Sequence, residues 1–432
     1  MIIRVINFVK MDKLLIKGGT ILKGKVKISS AKNGTLPILA ACLLTDKQCV
    51  IKNVPLLQDI KTMVGLLSAL GAEVSFKDNT VTICTGDKLS LEAPYEIVSK
   101  MRASYYVLGP LLARFHKVNV YLPGGCAIGP RPIDLHIKGM ESLGAKLVIE
   151  HGYIDASAKA LIGSKILLAG SSGPSVGATA NVMMAATLAQ GTTTIISAAL
   201  EPEIVDLANF LNAMGAKIEG AGTSTIKIIG VKELNGIEWT PIPDRIEAGT
   251  FACAAAITNG QLEIENCIPD HFESVILALK NLGCEVKKNG NSIIVKAGTP
   301  VKPFNITTAP HPGFPTDLQA QFMAVATIAQ GTSIITENIF KSRFLHALEL
   351  SRMGAQIKFN DNVAIVDGVK RLTGAKVMAS DLRASAALVL AGLCADGETE
   401  ISRIYHLDRG YEKIEEKFTG LGASIRRVPG KN

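Results

Sequence analysis

Hydrophobic and polar positions follow one pattern that recurs six times along the chain. Each copy has apolar residues at helical spacing, then a glycine, then an alternating apolar segment typical of a half-buried strand. The six glycines are Gly71, Gly144, Gly215, Gly283, Gly354 and Gly422. They are separated by 73, 71, 68, 71 and 68 residues. A period this regular predicts one structural unit copied six times.

The pattern also predicts the elements of each unit. In residues 59–70 the apolar side chains fall on one face of a helix, and the following glycine takes the left-handed conformation that often ends helices. Upstream, each unit has a run of small apolar residues such as FMAVATIAQ, which is apolar all round and predicts a buried helix. A polar turn and a short strand follow that run. We therefore predict helix–strand–helix–strand in each unit.

Six such units predict an α/β protein of two domains with three units each, since domains usually hold about 100–200 residues. A six-fold ring is the alternative. The segment 239–245 carries two prolines between the third and fourth units and is the candidate boundary. We predict an N-terminal domain over 33–241 and a C-terminal domain over 242–432 together with 11–32. Residues 11–30 contain LLIKGGT and GKVKIS, which are typical of two strands and could pair with the C-terminal domain.

Composition excludes several classes of protein. The longest uncharged apolar stretches have about 12–15 residues, short of the roughly 20 that span a bilayer. The first ten residues lack the hydrophobic core and cleavage site of a signal peptide. The eight cysteines form no C-x-x-C pair and have no histidine at zinc spacing. We therefore expect a cytoplasmic protein that binds no membrane and needs no metal or cofactor.

Cations are predicted at the start of four buried helices. They are Lys32, Arg102, Arg245 and Arg383, and Arg343 and Arg409 lie in similar basic segments. A cation at a helix N-terminus opposes the macrodipole unless an anion binds there. Each one alone is more simply a solvated charge, but four at equivalent positions predict a ligand with several negative charges. Net charge is +8, yet aromatic residues are only 5% and Lys and Arg are scattered, which argues against nucleic-acid binding.

Two Gly- and Pro-rich loops interrupt the repeat and carry reactive side chains. In the first, Cys126 lies five residues before Arg131, and a nearby cation favours the reactive thiolate. The alternative is a surface turn with an incidental cysteine. In the second, three prolines precede Thr316 and Asp317, where a helix is predicted to begin. An aspartate at that place is most often a helix cap, and its pairing with an elaborate rigid loop favours a functional carboxylate.

Five motifs occur in a fixed order: S-A-K-N-G, L-P-G-G-C-x-I-G-x-R-P-I-D-L-H, P-H-P-x-F-P-T-D-x-Q-A-Q, D-L-R-A-S and D-R-G-Y-E. In these motifs the chain resembles the UDP-N-acetylglucosamine 1-carboxyvinyltransferases, a family of enolpyruvyl transferases, and the resemblance covers essentially residues 11–428. The resemblance implies two inside-out α/β barrels of three units each, with the active site in the cleft between them. It implies transfer of the enolpyruvyl group of phosphoenolpyruvate to the 3-hydroxyl of UDP-N-acetylglucosamine by addition and elimination, with release of phosphate.

The resemblance also implies residue roles. Cys126 is expected to be the general acid and Asp317 the base for the sugar hydroxyl, while Lys32, Arg131 and Arg409 hold phosphoenolpyruvate. Arg383 is expected to assist with the carboxylate or to hold the site closed. The other expected substrate contacts are Asn33, Arg102, Pro132, Ile133, Asp134, Leu135, Ser175, Val176 and Ile339.

One segment departs from the family pattern. Many members carry a lysine before the Ser-Val-Gly core of a substrate-binding loop, where this chain has Gly173 and Pro174. Two other functions remain as alternatives: the sister enzyme that acts on shikimate 3-phosphate, and a non-catalytic paralogue that binds a nucleotide sugar. Cys126 argues against the first, and the joint presence of Cys126, Asp317, Lys32 and Arg409 argues against the second.

Overall fold

The structure is a computed structural model that describes residues 12–122, 133–170 and 173–430. The α-helices in these ranges are α1 (Lys32–Ala41), α2 (Gln58–Ala69), α3 (Tyr95–Val98), α4 (Leu108–Phe115), α5 (Asp134–Ser142), α6 (Val176–Ala186), α7 (Pro202–Ala213), α8 (Arg245–Ile257), α9 (Glu273–Asn281), α10 (Gln319–Ala326), α11 (Leu345–Arg352), α12 (Leu382–Cys394) and α13 (Ile414–Gly420). Short 3-10 helices lie at Cys42–Leu44, Arg102–Val107, Pro269–Phe272, Thr316–Leu318 and Ile404–Arg409.

Short strands account for most of the remaining regular structure. They are β1 (Lys13–Lys17), β2 (Lys23–Lys27), β3 (Cys49–Ile51), β4 (Glu73–Lys77), β5 (Thr80–Cys84), β6 (Glu92–Ala93), β7 (Lys117–Tyr121), β8 (Lys146–Glu150), β9 (Tyr153–Ser157), β10 (Lys165–Leu167), β11 (Ala169–Gly170), β12 (Gly173–Pro174), β13 (Thr192–Ile196), β14 (Lys217–Glu219), β15 (Thr225–Ile229), β16 (Glu238–Trp239), β17 (Gln261–Glu265), β18 (Glu285–Asn289), β19 (Ser292–Lys296), β20 (Asn305–Thr307), β21 (Thr332–Thr336), β22 (Gln356–Asn360), β23 (Val363–Asp367), β24 (Lys376–Met378), β25 (Glu398–Ser402) and β26 (Ser424–Val428).

The six repeated glycines end helices as predicted. Each has a positive φ, between 89° and 108°, a conformation that an L-residue adopts only with strain. They follow α2, α5, α7, α9, α11 and α13, and each is followed within two residues by a strand. The prediction of an amphipathic helix, a left-handed glycine and a strand is therefore confirmed in all six copies.

The helix formed by the run of small apolar residues in each unit is buried on every side. In α12, for example, all side chains from Arg383 to Leu393 are buried. These helices contact one another: α1 and α4 contact α6, and α8, α10 and α12 contact each other. The prediction of buried helices from runs of small apolar residues is confirmed, because only small side chains allow helices to pack closely on several faces.

The described strands form six four-stranded sheets and the two-stranded sheet β11-β12, so the units hold more strands than predicted. In the sheet β16-β3-β5-β4, the edge strand β16 is parallel to β3, and the other neighbours are antiparallel. We predicted one strand after each glycine, whereas β4 and β5 form a hairpin. Asp78 and Asn79 join them with φ of 50° and 55°, the left-handed pair typical of a two-residue hairpin turn.

Residues near the N-terminus complete sheets of the later repeats. Strand β1 lies between β25 and β26 and is antiparallel to both, with Leu14 opposite Ile401 and Ile16 opposite Ile425. Strand β2 is parallel to β17. The prediction that this segment forms two strands that pair with the C-terminal repeats is confirmed.

The chain divides into two compact units, each with its own hydrophobic core. The N-terminal unit holds Ser29–Asp244 and Ala309–Gly313, and the C-terminal unit holds the chain up to Ile28, Arg245–Thr308 and the chain from Phe314 onward. The predicted ranges, 33–241 and 11–32 with 242–432, assign segments 29–32, 242–244 and 309–313 to the other domain. No helix in the described ranges is long and apolar enough to cross a membrane.

Candidate active site

Lys32 begins α1 in the N-terminal unit and lies among carboxylates. Its backbone N–H donates to Asp244 Oδ2 at 3.1 Å, and its Nζ lies 3.6 Å from Asp59 Oδ2. The Lys32 side chain is only 12% exposed, so it is not the solvated charge of the simpler interpretation. Asn33, the next residue, is half-buried. Buried carboxylates therefore compensate this helix-terminal cation in the protein alone.

A third carboxylate near the start of α1, that of Asp206, binds the segment 239–242. Asp206 Oδ1 accepts from Trp239 Nε1 at 3.2 Å, and Oδ2 accepts from the Ile242 backbone N–H at 3.1 Å. A Cβ at Gly34 would lie 3.5 Å from Asp206 Oδ2, so α1 approaches this carboxylate closely. Burial raises the pKa of Asp206 to about 6. The segment that leads to Asp244 is thus tied to the first turn of the helix that carries Lys32.

Arg102 begins a 3-10 helix beside a buried polar group formed by Tyr105, His136 and Asn181. Asn181 Oδ1 accepts from the Gly109 N–H at 2.8 Å, so its Nδ2 is the end that donates to the Tyr105 carbonyl at 2.7 Å and to His136 Nδ1 at 3.1 Å. Burial and, to a smaller extent, the Arg102 charge together lower the pKa of His136 to about 4. His136 is therefore neutral at pH 7 with its proton on Nε2.

The other predicted substrate contacts of this unit lie at the starts of α5 and α6, two helices that contact each other. Ser175 is the N-cap of α6, where its side chain accepts from Ala178 N at 3.3 Å, and Val176 is the first helical residue. Ile133 is the N-cap of α5, followed by exposed Asp134 and buried Leu135. The remaining three, Cys126, Arg131 and Pro132, lie outside the described residues.

Gly173, at the departure from the family pattern, has a backbone that a lysine would adopt only with strain. Its φ is +92°, and a Cβ there would meet Pro310 Cγ at 3.5 Å. Gly170, in the paired strand β11, lies against Leu135, because a Cβ there would lie 3.2 Å from Leu135 Cδ1. In this chain the hairpin β11–β12 thus contributes backbone and close packing where the family pattern has a long cationic side chain.

Asp317, in the C-terminal unit, binds two buried arginines. Its Oδ1 accepts from Arg343 Nη1 at 2.8 Å and its Oδ2 from Arg383 Nη2 at 2.9 Å. The arginines are 6% and 2% exposed, whereas the Asp317 side chain is 26% exposed. Asp317 lies in the 3-10 turn before α10, and the N-cap of α10 is Leu318, so the alternative of a simple helix cap is wrong. The carboxylate is the accessible end of a buried cationic group.

Glu337, which is fully buried, holds the segment that supplies Arg343 and Ile339. Its Oε1 accepts from the backbone N–H groups of Ile339 at 2.8 Å and Phe340 at 2.9 Å. Its Oε2 accepts from Thr316 Oγ1 at 2.9 Å, and Thr316 Oγ1 in turn accepts from Arg343 Nη1 at 3.1 Å. One buried carboxylate thus fixes both ends of the Asp317–Arg343 contact.

Tyr411 contacts the Arg383 guanidinium through its hydroxyl and its ring. Arg383 Nη1 donates to Tyr411 Oη at 3.1 Å, and the guanidinium carbon lies 5.5 Å from the centre of the tyrosine ring. The Arg383 backbone N–H donates to Asp381 Oδ1 at 2.9 Å, so Asp381 caps α12. The guanidinium predicted at this helix start therefore contacts both the Asp317 carboxylate and the Tyr411 phenol.

Arg409 ends the 3-10 helix Ile404–Arg409 and is half-buried. Burial lowers the pKa of the neighbouring His406, and the Arg409 charge lowers it further. His346, on α11, is fully buried, and burial lowers its pKa to about 4; the Arg343 charge acts in the same direction and the Asp381 charge opposes it. Two neutral imidazoles therefore lie near the cations of this unit.

The structure brings some predicted residues together and adds others. Asp317 and Arg383 are in direct contact, as are Lys32 and Asp59. We expected an anionic ligand to compensate the helix-terminal cations, whereas carboxylates of the chain already do so for Lys32 and Arg383. Arg343 was noted from the sequence only as one of the cations that imply an anionic ligand. Three other residues of the Asp317 network were not assigned to the site from the sequence: Glu337, Tyr411 and Gln321, whose Nε2 donates to the Asp317 carbonyl oxygen at 3.0 Å. Two of them lie inside quoted motifs, the second Gln of Q-A-Q and the Tyr of R-G-Y-E.

No group of three or more His, Cys, Asp or Glu side chains in residues 12–122, 133–170 and 173–430 is arranged to hold a metal ion. In the C-terminal unit, Asp317 lies with two guanidinium groups, and in the N-terminal unit the Lys32 ammonium group lies near a carboxylate. Guanidinium and ammonium groups bind phosphate and carboxylate groups, and a carboxylate can accept a proton from a hydroxyl.

Comparison with known proteins gives concordant results. The family model EPSP synthase (3-phosphoshikimate 1-carboxyvinyltransferase) matches residues 16–418. A UDP-N-acetylglucosamine 1-carboxyvinyltransferase 2 from Carboxydothermus hydrogenoformans is 55% identical over 420 residues, covering 97% of this chain and 100% of that protein. A UDP-N-acetylglucosamine 1-carboxyvinyltransferase 1 from Caldanaerobacter subterraneus is 54% identical over 415 residues, covering 96% of this chain and 99% of that protein.

Solved structures agree at the level of fold. The crystal structure of the enolpyruvyl transferase NikO from Streptomyces tendae has a TM-score of 0.88 and 26% identity, and it covers 98% of this chain and 100% of its own. An EPSP synthase from Acinetobacter baumannii has a TM-score of 0.73 and 18% identity, and it covers 96% of this chain and 100% of its own. At that identity the second similarity shows the fold alone.

Proposed function

Because the chain belongs to the UDP-N-acetylglucosamine 1-carboxyvinyltransferases, within the EPSP synthase family, we propose that it transfers the enolpyruvyl group of phosphoenolpyruvate to the 3-hydroxyl of UDP-N-acetylglucosamine. Phosphate is released, and the product enters peptidoglycan synthesis at its first committed step. The observation that carries the proposal is 52–55% identity to enzymes of that name over nearly the whole chain. The Asp317 site supports it with the groups that the reaction needs.

The reaction proceeds by addition and then elimination. The sugar 3-oxygen forms a bond to C2 of phosphoenolpyruvate while a proton adds to the C3 methylene, which gives a phosphate-bearing ketal. Phosphate then leaves as C3 loses a proton, and the double bond re-forms. The enzyme must therefore supply a base for the hydroxyl, an acid for the methylene and cations for the phosphate and carboxylate.

Asp317 is the proposed base for the sugar hydroxyl. Of the four charged groups in its network, the Asp317 carboxylate is the most exposed, at 26%, whereas Glu337, Arg343 and Arg383 are buried. A ligand hydroxyl can therefore reach the carboxylate while the arginines fix its orientation. The partial exposure supports this role, because a base must be reached by the hydroxyl that it deprotonates.

Cations on both units are proposed to bind phosphoenolpyruvate. Lys32 is a point charge suited to phosphate, and Arg131, Arg383 and Arg409 each offer a planar fork suited to phosphate or carboxylate. Cys126 is proposed as the acid that protonates the methylene. Of these five residues, Cys126 and Arg131 lie outside the described ranges, so their roles depend on the family resemblance alone.

The nucleotide sugar is proposed to bind at the helix starts of the N-terminal unit, with Ile339 of the C-terminal unit also in contact. Backbone N–H groups at helix N-termini such as those of α5 and α6 can bind the oxygens of a diphosphate. The residues concerned are Asn33, Arg102, Arg131, Pro132, Ile133, Asp134, Leu135, Ser175 and Val176. An active site in a cleft between the domains and an inside-out barrel in each domain stay predictions.

A phosphate-release assay with two acceptors tests the proposed function. We expect release from phosphoenolpyruvate with UDP-N-acetylglucosamine and none above background with shikimate 3-phosphate. Release only with shikimate 3-phosphate would establish the sister activity instead. No release with either acceptor, from folded protein, would favour a non-catalytic paralogue.

The role of Cys126 has a separate test in the variant Cys126→Asp. A carboxylic acid can donate the proton but has no sulfur for the epoxide fosfomycin to alkylate. We expect the variant to turn over and to resist fosfomycin, while the unmodified enzyme is inactivated. A folded Cys126→Asp protein without turnover, or a sensitive one, would contradict the proposed role.

A further inference from the structure

The Tyr411 hydroxyl lies at the centre of a buried hydrogen-bond network of the C-terminal unit. Its oxygen is 2.8 Å from Thr250 Oγ1, 3.1 Å from Gln321 Nε2 and 3.1 Å from Arg383 Nη1. All four side chains are at most 2% exposed. A phenol with three polar partners in an interior is costly to build and needs every partner satisfied.

The direction of each hydrogen bond follows from the neighbours. Thr250 Oγ1 donates its only proton to the Ile246 carbonyl at 2.8 Å, so it can only accept from Tyr411. Gln321 Nε2 also lies 3.0 Å from the Asp317 carbonyl oxygen, which fixes the amide nitrogen on that side, and 3.1 Å from Thr250 Oγ1. Its second proton is therefore shared between Thr250 Oγ1 and Tyr411 Oη. Tyr411 donates its proton to Thr250 and accepts from Arg383 and from this shared proton of Gln321. The hydroxyl uses its full capacity of one donor and two acceptors.

This arrangement fixes the Arg383 guanidinium at two points. Nη1 donates to Tyr411 Oη and Nη2 donates to Asp317 Oδ2, while the tyrosine ring lies 5.5 Å from the guanidinium carbon. Without the hydroxyl, Nη1 loses an acceptor in a site that is 2% exposed. The guanidinium would then turn toward other acceptors, and its second nitrogen would leave the Asp317 oxygen.

We propose that Tyr411 is a positioning residue that acts through Arg383 and sets the guanidinium against Asp317 and the anionic substrate. The inference deepens the proposed function and depends on it, since the substrate is the phosphoenolpyruvate that Arg383 is proposed to bind. Tyr411 does not take part in proton transfer. Its hydroxyl proton is committed to Thr250, whose own proton is committed to a carbonyl group.

The test is Tyr411→Phe, which removes the hydroxyl and keeps the ring. We expect kcat to fall at least about tenfold and KM for phosphoenolpyruvate to rise severalfold, with KM for the nucleotide sugar changed less than about twofold. The matched control is Tyr405→Phe, which removes an exposed hydroxyl six residues away and should leave both constants unchanged. Unchanged kinetics in Tyr411→Phe, beside an active unmodified enzyme, would overturn the inference. An inactive unmodified enzyme would overturn the proposed function instead.

A double-mutant cycle separates positioning from general destabilisation. A lysine at 383 has one point of attachment and cannot hold Tyr411 and Asp317 together. In the Arg383→Lys background, Tyr411→Phe should therefore cost less than about twofold, because its effect passes through the lost fork. If Tyr411→Phe lowers kcat by the same factor in both backgrounds, the hydroxyl acts by stabilising the protein and not through Arg383.

Thr250→Val keeps the inference testable if Tyr411→Phe does not fold. Valine removes the acceptor of the Tyr411 proton but leaves both lone pairs available to Arg383 and Gln321. We expect a smaller loss of kcat than the tenfold loss of Tyr411→Phe. A loss in Thr250→Val as large as that in Tyr411→Phe, or larger than tenfold where only Thr250→Val folds, would contradict the role of the lone pairs.

Discussion

Replacement of Asp317 by asparagine should separate the structural role of this carboxylate from its proposed catalytic role. The carboxylate accepts from Arg343 at 2.8 Å and from Arg383 at 2.9 Å, and both arginines are buried. A hydrogen bond to a charged group contributes about 1.5–3 kcal/mol. Asparagine keeps one acceptor oxygen and turns an NH2 group toward the other arginine. One charge-assisted bond is lost, so the free energy of unfolding of the C-terminal unit should fall by about 2–3 kcal/mol.

Differential scanning calorimetry measures that loss directly. A decrease of about 2–3 kcal/mol should lower the Tm of the C-terminal unit by roughly 4–12 °C. Asp396→Asn is the matched control in the same unit, because Asp396 pairs with Arg371 on the surface, where both side chains are more than half exposed. Exposed pairs contribute about 0–1 kcal/mol, so this control should change Tm by less than about 4 °C.

Inorganic phosphate provides the decisive comparison for Asp317→Asn. Removal of the carboxylate leaves two buried guanidinium groups short of a negative partner, so phosphate should stabilise the variant more than the unmodified protein. At a concentration 100 times its Kd, a ligand adds about 2.7 kcal/mol. Turnover in the phosphate-release assay should fall by at least about 1,000-fold. The reasoning is refuted if phosphate stabilises both proteins equally, or if the variant retains turnover.

Three further predictions concern stability. Gly65→Ala, inside α2, should raise the free energy of unfolding by about 1 kcal/mol, because nothing lies within 4 Å of the new Cβ. Gly71→Ala, after α2, should lower it by about 1 kcal/mol, because Gly71 has a φ of +99°. Urea denaturation that gives both changes the same sign would contradict this. Burial lowers the pKa of His346 to about 4, so between pH 6.5 and about pH 4 the unfolded chain binds a proton at His346 that the folded protein does not. As the pH is lowered through this range, His346 should therefore reduce the free energy of unfolding by about 1.4 kcal/mol per pH unit. His346→Leu should remove that slope when unfolding is measured at pH 7 and pH 5.5. Arg114→Met should cost the N-terminal unit about 2 kcal/mol, since Arg114 donates to the carbonyls of Leu43 and Thr45, and kcat should not change.

The repeat could be predicted from the sequence because its signals are local. Helical spacing before each glycine, the glycine itself and the strand after it all lie within about 20 residues, so neighbouring side chains determine them. The third strand of each sheet was missed where a hairpin joins two strands through residues such as Asp78 and Asn79. In the sixth unit the equivalent strand is β1, which the sequence did predict as a strand. Its position between β25 and β26, nearly 400 residues away in sequence, is set by tertiary contacts.

The main charged residues of the candidate site were predicted from the sequence, but the side chains that they contact were not. Lys32 and Arg383 are recognisable because a cation at a helix start is unusual, and Asp317 because it follows an elaborate loop. Their partners depend on contacts between different repeats: Asp317 binds Arg383, which is 66 residues away, and Tyr411 binds Thr250, which is 161 residues away. The first separation is close to one repeat and the second is not, and in both cases the period gives a spacing along the chain and not which side chains touch. The periodicity that revealed the units therefore could not reveal these pairs.

The observed pairing changes what the helix-terminal cations imply about substrate binding. We inferred from the sequence that they need an anionic ligand, yet Asp317 already neutralises Arg383 and Asp59 already lies near Lys32. On the proposed function, phosphoenolpyruvate must compete with Asp317 for Arg383, which lowers its affinity by the strength of that ion pair. The same competition weakens the hold of Arg383 on the carboxylate, and a carboxylate with fewer cationic contacts is a stronger base. Binding of the anion and activation of the base are then one event, which explains why the carboxylate and the cation lie in contact rather than apart.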